Sequence, residues 1–333
     1  MVTKLYLFFR AIGSDTGGSV RLPASYTGIV GYKPTWGFLS RYGKVSYAPS
    51  LDTVGLMTRS VGDAVTCLEG LLKYRSNWRD PTLIKMKENE LNSYESLPLE
   101  GVTIGVLDEW LEALKGVQGH PLSSILDKLE NKSGARLKLV RIPELKGEEC
   151  LERYYEIACM EASSTLSRYT GNFFEKQNSD ISTGLVIELP YEEKKRKYQE
   201  EKFGVEVCKR IERGRNLLKD PEGKYLRGAE DYRMKLRKSF DKLFKEDYCD
   251  VLIGPTAFST APKLFGDKLS ENEEKDDDLF TVPANLAGLP AISLPLHGIS
   301  SGTTGVIGTQ LIAAHCDDRL LLRIARELES LFK

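Results

Sequence analysis

An α/β fold, with a mixed central sheet covered by helices, is predicted by three features of the 333-residue chain. Segments of helical period lie at 61–72, at 231–248 and after 317. Short strand-like apolar runs lie between them, at 102–106, 251–255, 291–296 and 310–313. Helices and strands alternate along the chain with no internal repeat, the order expected when helices cover a sheet. We expect a single domain over residues 1–333.

Each element follows from local pattern. Val61, Ala64, Val65, Leu68, Leu71 and Leu72 fall on one face of a helix. Residues 74–100 are charged and carry prolines, which reads as a connector. Val102, Ile104 and Val106 alternate in G-V-T-I-G-V-L, a strand pattern. The run from Glu192 to Lys202 mixes both charge signs and reads as a solvated helix face. Between Asp231 and Tyr248, Tyr232, Leu236, Phe240 and Leu243 recur at helical spacing. That helix delivers the chain into D-V-L-I-G-P-T, a buried strand. Glu271 to Asp278 reads as an exposed acidic loop. Ala291–Leu296 and Gln310–Ala313 read as short strands. Asp317 is placed to cap a last helix that buries Leu321, Ile324, Ala325 and Leu328.

Composition excludes several function classes. The net charge of −1 predicts no basic face for direct nucleic-acid binding. Six cysteines are scattered without a CxxC pair, against a zinc site or a dense disulfide framework and in favour of a reducing compartment. No stretch is long and apolar enough to span a bilayer. No P-loop is present, so nucleotide handling is not expected of this chain. The three histidines, His120, His297 and His315, each read as surface or structural residues rather than as bases.

Chemistry concentrates in Gly13 to Pro23, G-S-D-T-G-G-S-V-R-L-P. Two glycines directly before a serine let the backbone approach a ligand closely and adopt positive φ. Successive N–H groups in such a turn converge into an anion-binding nest. With Ser19 as a nucleophile attacking a carbonyl, the N–H groups of Thr16, Gly17, Gly18 and Ser19 would hold the oxyanion.

From Gly13 to Leu72 the chain resembles the amidase signature family, through this segment and the phrases G-Y-K-P-T and S-L-D-T-V-G-L. The resemblance implies the amidase-signature fold and a Ser–Ser–Lys triad in which Ser19 is the acyl-forming nucleophile. That family places a lysine and a second serine well upstream, whereas only eighteen residues precede Ser19 here. Lys4 has no Ser-Gly-Gly context and Ser14 is too close to bridge. Without an adjacent base a serine hydroxyl is a poor nucleophile. The expectation is therefore an amidase domain incomplete at its N-terminus, or else a degenerate subunit without the triad.

Within the family, three later segments look most like the A-type chain of glutamyl-tRNA(Gln) amidotransferase. The resemblance places Tyr154 (Y-Y-E-I-A-C-M-E) against a glutamine substrate. It pairs Arg210 (F-G-V-E-V-C-K-R) with the glutamine carboxylate, and gives the ammonium to Asp278 (D-L-F-T-V-P-A-N), with Asp277 the neighbouring alternative. It implies a glutaminase that supplies ammonia for converting Glu-tRNA(Gln) to Gln-tRNA(Gln). No cofactor is expected in this chain, ATP and Mg being used by the partner subunit. The implied partners are the amidotransferase B subunit plus a small third subunit, with tRNA met only through the complex and no membrane. A stand-alone amidase and a non-catalytic scaffold subunit are the alternatives. R-L-P-A-S-Y and S-L-D-T-V-G-L look closer to fungal organellar members, which implies a mitochondrial location, otherwise a cytoplasmic one.

Overall fold

The computed structural model describes residues 10–73, 79–85, 94–117, 119–169, 191–246, 249–262, 277–296 and 305–332. Lys4, His297, Tyr248 and most of the acidic run before Asp277 lie outside the described residues. Eight strands form one sheet: β1 (Arg10–Asp15), β2 (Val30–Lys33), β3 (Thr53–Thr58), β4 (Thr103–Leu107), β5 (Arg136–Val140), β6 (Val251–Pro255), β7 (Ala291–Leu294) and β8 (Thr309–Ala313). Their spatial order is β1-β3-β2-β7-β8-β6-β4-β5. Neighbours from β1 to β6 pair antiparallel, while β4 pairs in parallel with both β6 and β5. The sheet is mixed, as expected.

Among the described residues the helices are α1 (Arg21–Thr27), α2 (Val61–Leu72), α3 (Asp108–Ala113), α4 (Leu122–Lys132), α5 (Glu149–Leu166), α6 (Tyr191–Lys202), α7 (Val205–Leu218), α8 (Lys224–Lys245), α9 (Asp278–Ala287) and α10 (Asp318–Leu331). Two compact units result. One comprises Met1–Lys44, Ser50–Tyr154 and Asp231–Lys333, and holds the sheet. The other comprises Val45–Pro49 and Tyr155–Glu230. In this second unit Ala162, Leu166 and Ile211 form a small core, flanked by Phe203 and Val207.

In the sheet-bearing unit, α2 and α10 pack on each other, α2 on β3 and α10 on β7 and β8. The apolar face predicted for α2 is buried apart from Leu71, which is only partly covered. Leu321, Ile324, Ala325 and Leu328 of α10 are fully buried, as are Ile292 and Leu311 of the strands beneath. Each leucine or isoleucine so buried contributes about 1.5–3 kcal/mol, so this layer is a main source of stability. Tyr232, Leu236, Phe240 and Leu243 of α8 are buried too. That helix begins seven residues before the expected Asp231, and the added turns present Tyr225 and Leu226 to solvent. In the extension only Ala229 is buried.

One expectation fails at α10. Asp317 occupies the N-cap but makes no side-chain capping hydrogen bond. The anchoring carboxylate belongs instead to the next residue, Asp318, which is buried and accepts hydrogen bonds from Tyr32 Oη at 2.6 Å, Thr35 N at 2.9 Å and Thr35 Oγ1 at 2.5 Å. Three donors convert a costly buried carboxylate into a tie between α10 and β2. No helix of the described residues is long and apolar enough to cross a membrane.

Candidate active site

The glycine segment forms the turn between β1 and α1, so the sheet edge fixes where Ser19 is presented. Gly18 has φ 138°, a conformation a side chain would strain. Its carbonyl accepts Leu22 N–H at 2.8 Å, opening α1 directly after the turn. Ser19 is exposed, while Asp15, Thr16, Gly17 and Gly18 around it are buried. Val20 N and Arg21 N both donate to Asp15 Oδ2, at 3.3 and 3.4 Å. By contrast, no acceptor among the described residues takes the N–H of Gly17, Gly18 or Ser19. Those donors remain available to a developing oxyanion.

Two side chains grip the glycines. A Cβ at Gly17 would overlap the Tyr154 hydroxyl, and one at Gly18 would overlap Thr281. Thr281 Oγ1 donates to Gly17 O at 2.6 Å. Tyr154, expected beside the substrate, is thus brought against the loop by the start of α5. Asp278 is the first residue of α9, one turn before Thr281. The carboxylate of Asp277 is occupied structurally, by Tyr26 Oη and by Phe258 N. Arg210 lies on α7 in the second unit. It donates to Tyr47 Oη at 3.2 Å and to Glu206 at 3.1 Å, and its guanidinium stacks on Tyr47 and Tyr155.

The loop is anchored from beneath by charge. Asp15 and Arg21, both fully buried, form an ion pair at 3.1 Å. Arg21 also reaches Gln310 Oε1 at 3.2 Å and Asn285 Oδ1 at 2.5 Å, and Asn285 returns a bond to Asp15 at 2.9 Å. Burial alone would raise the Asp15 carboxyl, but the charge and hydrogen bonds of Arg21 outweigh it and hold the group below its ordinary value. On the other flank Thr16 Oγ1 donates to Asp52 Oδ1 at 2.6 Å, and Asp52 Oδ2 pairs with Lys44 Nζ at 2.7 Å. Sequence reasoning did not single out Asn285, Gln310, Thr281, Asp52 or Lys44. Asp52, inside S-L-D-T-V-G-L, and Thr281 and Asn285, inside D-L-F-T-V-P-A-N, lay in phrases that carried the resemblance, whereas Gln310 and Lys44 did not.

Among the described residues no base is seated on Ser19. Among the described residues Ser19 Oγ has no hydrogen-bond partner. His120 Nε2 faces Ala257 O, and the His315 ring contacts Cys316 Sγ. Lys33 is buried at the end of β2 and donates to the carbonyls of Pro34 and Leu289. Desolvation, joined by the like charge of Arg21, brings its ammonium down to about 7. A lysine lowered in the fold binds fewer protons there than in the unfolded chain. Stability therefore rises with pH from about 7 towards the unfolded value, by up to about 1.4 kcal/mol per pH unit. Urea midpoints of the protein and of Lys33→Met, compared between pH 7 and 8.5, are expected to show that rise only with the lysine present.

The Amidase family profile matches residues 6–322. The chain belongs to the amidase signature family. This amidase-family chain is 36% identical over 320 residues to the A subunit of glutamyl-tRNA(Gln) amidotransferase from Akkermansia muciniphila, covering 94% of this chain and 64% of that protein. The crystal structure of the A subunit of the Thermotoga maritima amidotransferase superposes with a TM-score of 0.68 at 32% identity, over 96% of this chain and 62% of that one. A bacterial aryl acylamidase shares the fold, with a TM-score of 0.71 at 16% identity over 97% of this chain and 62% of that one. The chain thus spans less than two thirds of the length of these relatives. The mixed sheet with its helical cover is the amidase-signature fold expected from the sequence. Among the described residues no cluster of histidine, cysteine or carboxylate side chains is arranged to hold a metal ion.

Proposed function

We propose that this chain is the glutaminase component of a tRNA-dependent amidotransferase. The observation that carries the reading is the turn at Gly17–Ser19: an exposed serine, amide donors without acceptors, and Tyr154 packed on the loop. Ser19 Oγ attacks the side-chain amide of glutamine, and the tetrahedral oxyanion is held by the N–H groups of Thr16, Gly17, Gly18 and Ser19. Collapse releases ammonia and leaves a γ-glutamyl ester on Ser19, which water hydrolyses to glutamate. Tyr154 lies along the substrate, Arg210 pairs with its α-carboxylate and Asp278 receives its α-ammonium. The Tyr26 and Phe258 bonds to Asp277 favour Asp278 for that role.

Ammonia then passes to the B subunit, which uses ATP and Mg to activate the glutamate of Glu-tRNA(Gln), with a small third subunit completing the complex. We place this complex in the mitochondrion. The test is glutamate release from glutamine by the chain assembled with its partner subunits, with hydroxylamine added to trap the ester. Ser19→Ala is expected to lower the rate by at least about a thousandfold and to abolish the trapped hydroxamate. Retention of the hydroxamate in that variant would overturn the assignment. A second reading, a non-catalytic scaffold, is favoured by the lack of any hydrogen-bond partner for Ser19 Oγ among the described residues. It requires normal assembly with the partners and no glutaminase activity from the unsubstituted chain.

A further inference from the structure

The six cysteines are in very different states. Burial raises the thiols of Cys150 and Cys249 to about 12, and raises Cys159 and Cys67 as well. Cys208 is half-buried, its sulfur turned to the carbonyls of Gln199 and Phe203 at 3.6 and 3.8 Å. Among the six, Cys316 alone is exposed, and none is in a disulfide. It sits in the turn that leads into α10, closed by Asp317 N–H to Ala314 O at 3.0 Å. Cys316 is the only non-glycine with positive φ among the described residues, at 69°, and its N–H donates to Thr35 Oγ1 at 3.1 Å. The turn is therefore fixed, and it sets Cys316 Sγ 3.1 Å from His315 Nδ1.

The imidazole is suited to take the thiol proton. Partial desolvation, with Arg237 as a neighbouring cation, holds His315 below its ordinary value, so the ring is neutral at physiological pH. His315 also lines a cavity of about 260 Å³ together with Arg237, Asp241, Lys245 and Leu289. Two cationic side chains against one carboxylate favour an anionic occupant. The volume admits one carboxylate-bearing arm of a small peptide.

We infer that Cys316 is a site of reversible modification by low-molecular-weight anionic disulfides, of which glutathione disulfide is the natural class. His315 accepts the Cys316 proton, and the thiolate attacks one sulfur of the glutathione disulfide. The Cys316–glutathione S–S bond forms as the original S–S bond breaks. The departing glutathione thiolate takes the proton back from His315, so one thiol and one disulfide stand on each side of the exchange. A glutathione carboxylate rests against Arg237 and Lys245. This site is separate from Ser19 and does not depend on the glutaminase reading.

The test treats the full chain with glutathione disulfide and, separately, with the cationic disulfide cystamine, and follows both by intact mass and peptide mapping. One glutathionyl group on Cys316 is expected, lost in Cys316→Ser. His315→Gln is expected to slow the reaction about tenfold by removing the base that takes the thiol proton. Arg237→Gln, an exposed change, is expected to slow glutathione disulfide but not cystamine. Label spread over other cysteines, an unchanged rate in His315→Gln, or equal losses with both disulfides in Arg237→Gln would each overturn the inference.

Discussion

Replacing Arg21 with Met is expected to destabilise the fold by about 3–5 kcal/mol, the range seen when one partner of a buried ion pair is removed. Arg21 is fully buried and supplies Asp15 with its counter-charge. It also binds Asn285 and Gln310, which come from α9 and β8. Met fills the volume but leaves the Asp15 carboxylate in a desolvated site with only Asn285 and backbone donors. The effect carries a pH signature. In the native chain the Asp15 pKa lies below its unfolded value, so its contribution is present above that value and lost as pH falls through the folded one. Without Arg21 burial dominates and the folded pKa rises above the unfolded one, so the variant loses stability as pH rises from about 4. Urea midpoints at pH 4.5 and 7 measure this: the deficit of Arg21→Met should be larger at pH 7. In the double variant Asp15→Asn/Arg21→Met the buried charge is gone, and part of the loss should return. A deficit independent of pH would mean that the lost packing of Arg21, not charge, governs the site.

What was legible in the sequence follows from what burial leaves as pattern. Elements α2 and α10 each bury one face, so their apolar residues recur at helical spacing and were readable. Strands β6, β7 and β8 are fully buried and read as short, mainly apolar runs with glycine or proline within or beside them. Four strands, β1, β2, β3 and β5, were not anticipated. All four residues of β2 are buried, whereas most of β1 and β5 is exposed or half-buried. Neither β1 nor β2 shows the alternation that marks a half-buried strand, whereas β5, R-L-K-L-V, does alternate and was legible in principle. The site divides in the same way. Gly17, Gly18 and Ser19 were visible because a turn that presents a serine needs those residue types side by side. Their supports were not, because Thr281, Asn285 and Gln310 reach the loop from more than 260 residues away. Lys44 and Asp52 lie nearer, but a lone lysine or aspartate has no local signature of its contact.

Gly18→Ala is expected to be strongly damaging for a change of one methyl group, because it joins backbone strain to overlap in the loop that presents Ser19. Its φ of 138° strains any side chain, a penalty on the order of 1–3 kcal/mol. Its Cβ would also overlap Thr281, and such overpacking adds about 1–3 kcal/mol where neighbours cannot shift. Thr281 cannot simply turn away, because its hydroxyl holds Gly17 O and so shapes the same loop. The variant is expected to unfold at lower urea concentration and to lose Ser19-dependent turnover in the assembled complex. Adding Thr281→Ala removes the overlap but not the backbone strain, so stability should recover in part while turnover stays lost. Gly70→Ala is the matched control. Gly70 lies in the interior of α2 with open space where its Cβ would go, and there alanine should be neutral or stabilising by about 0.5–1 kcal/mol. If Gly18→Ala matched Gly70→Ala in stability and kept turnover, the turn at Ser19 would be a pliable linker and the preorganised oxyanion site would have to be abandoned. The predicted divergence of the two variants follows from backbone conformation and neighbouring atoms alone, since the added methyl is the same.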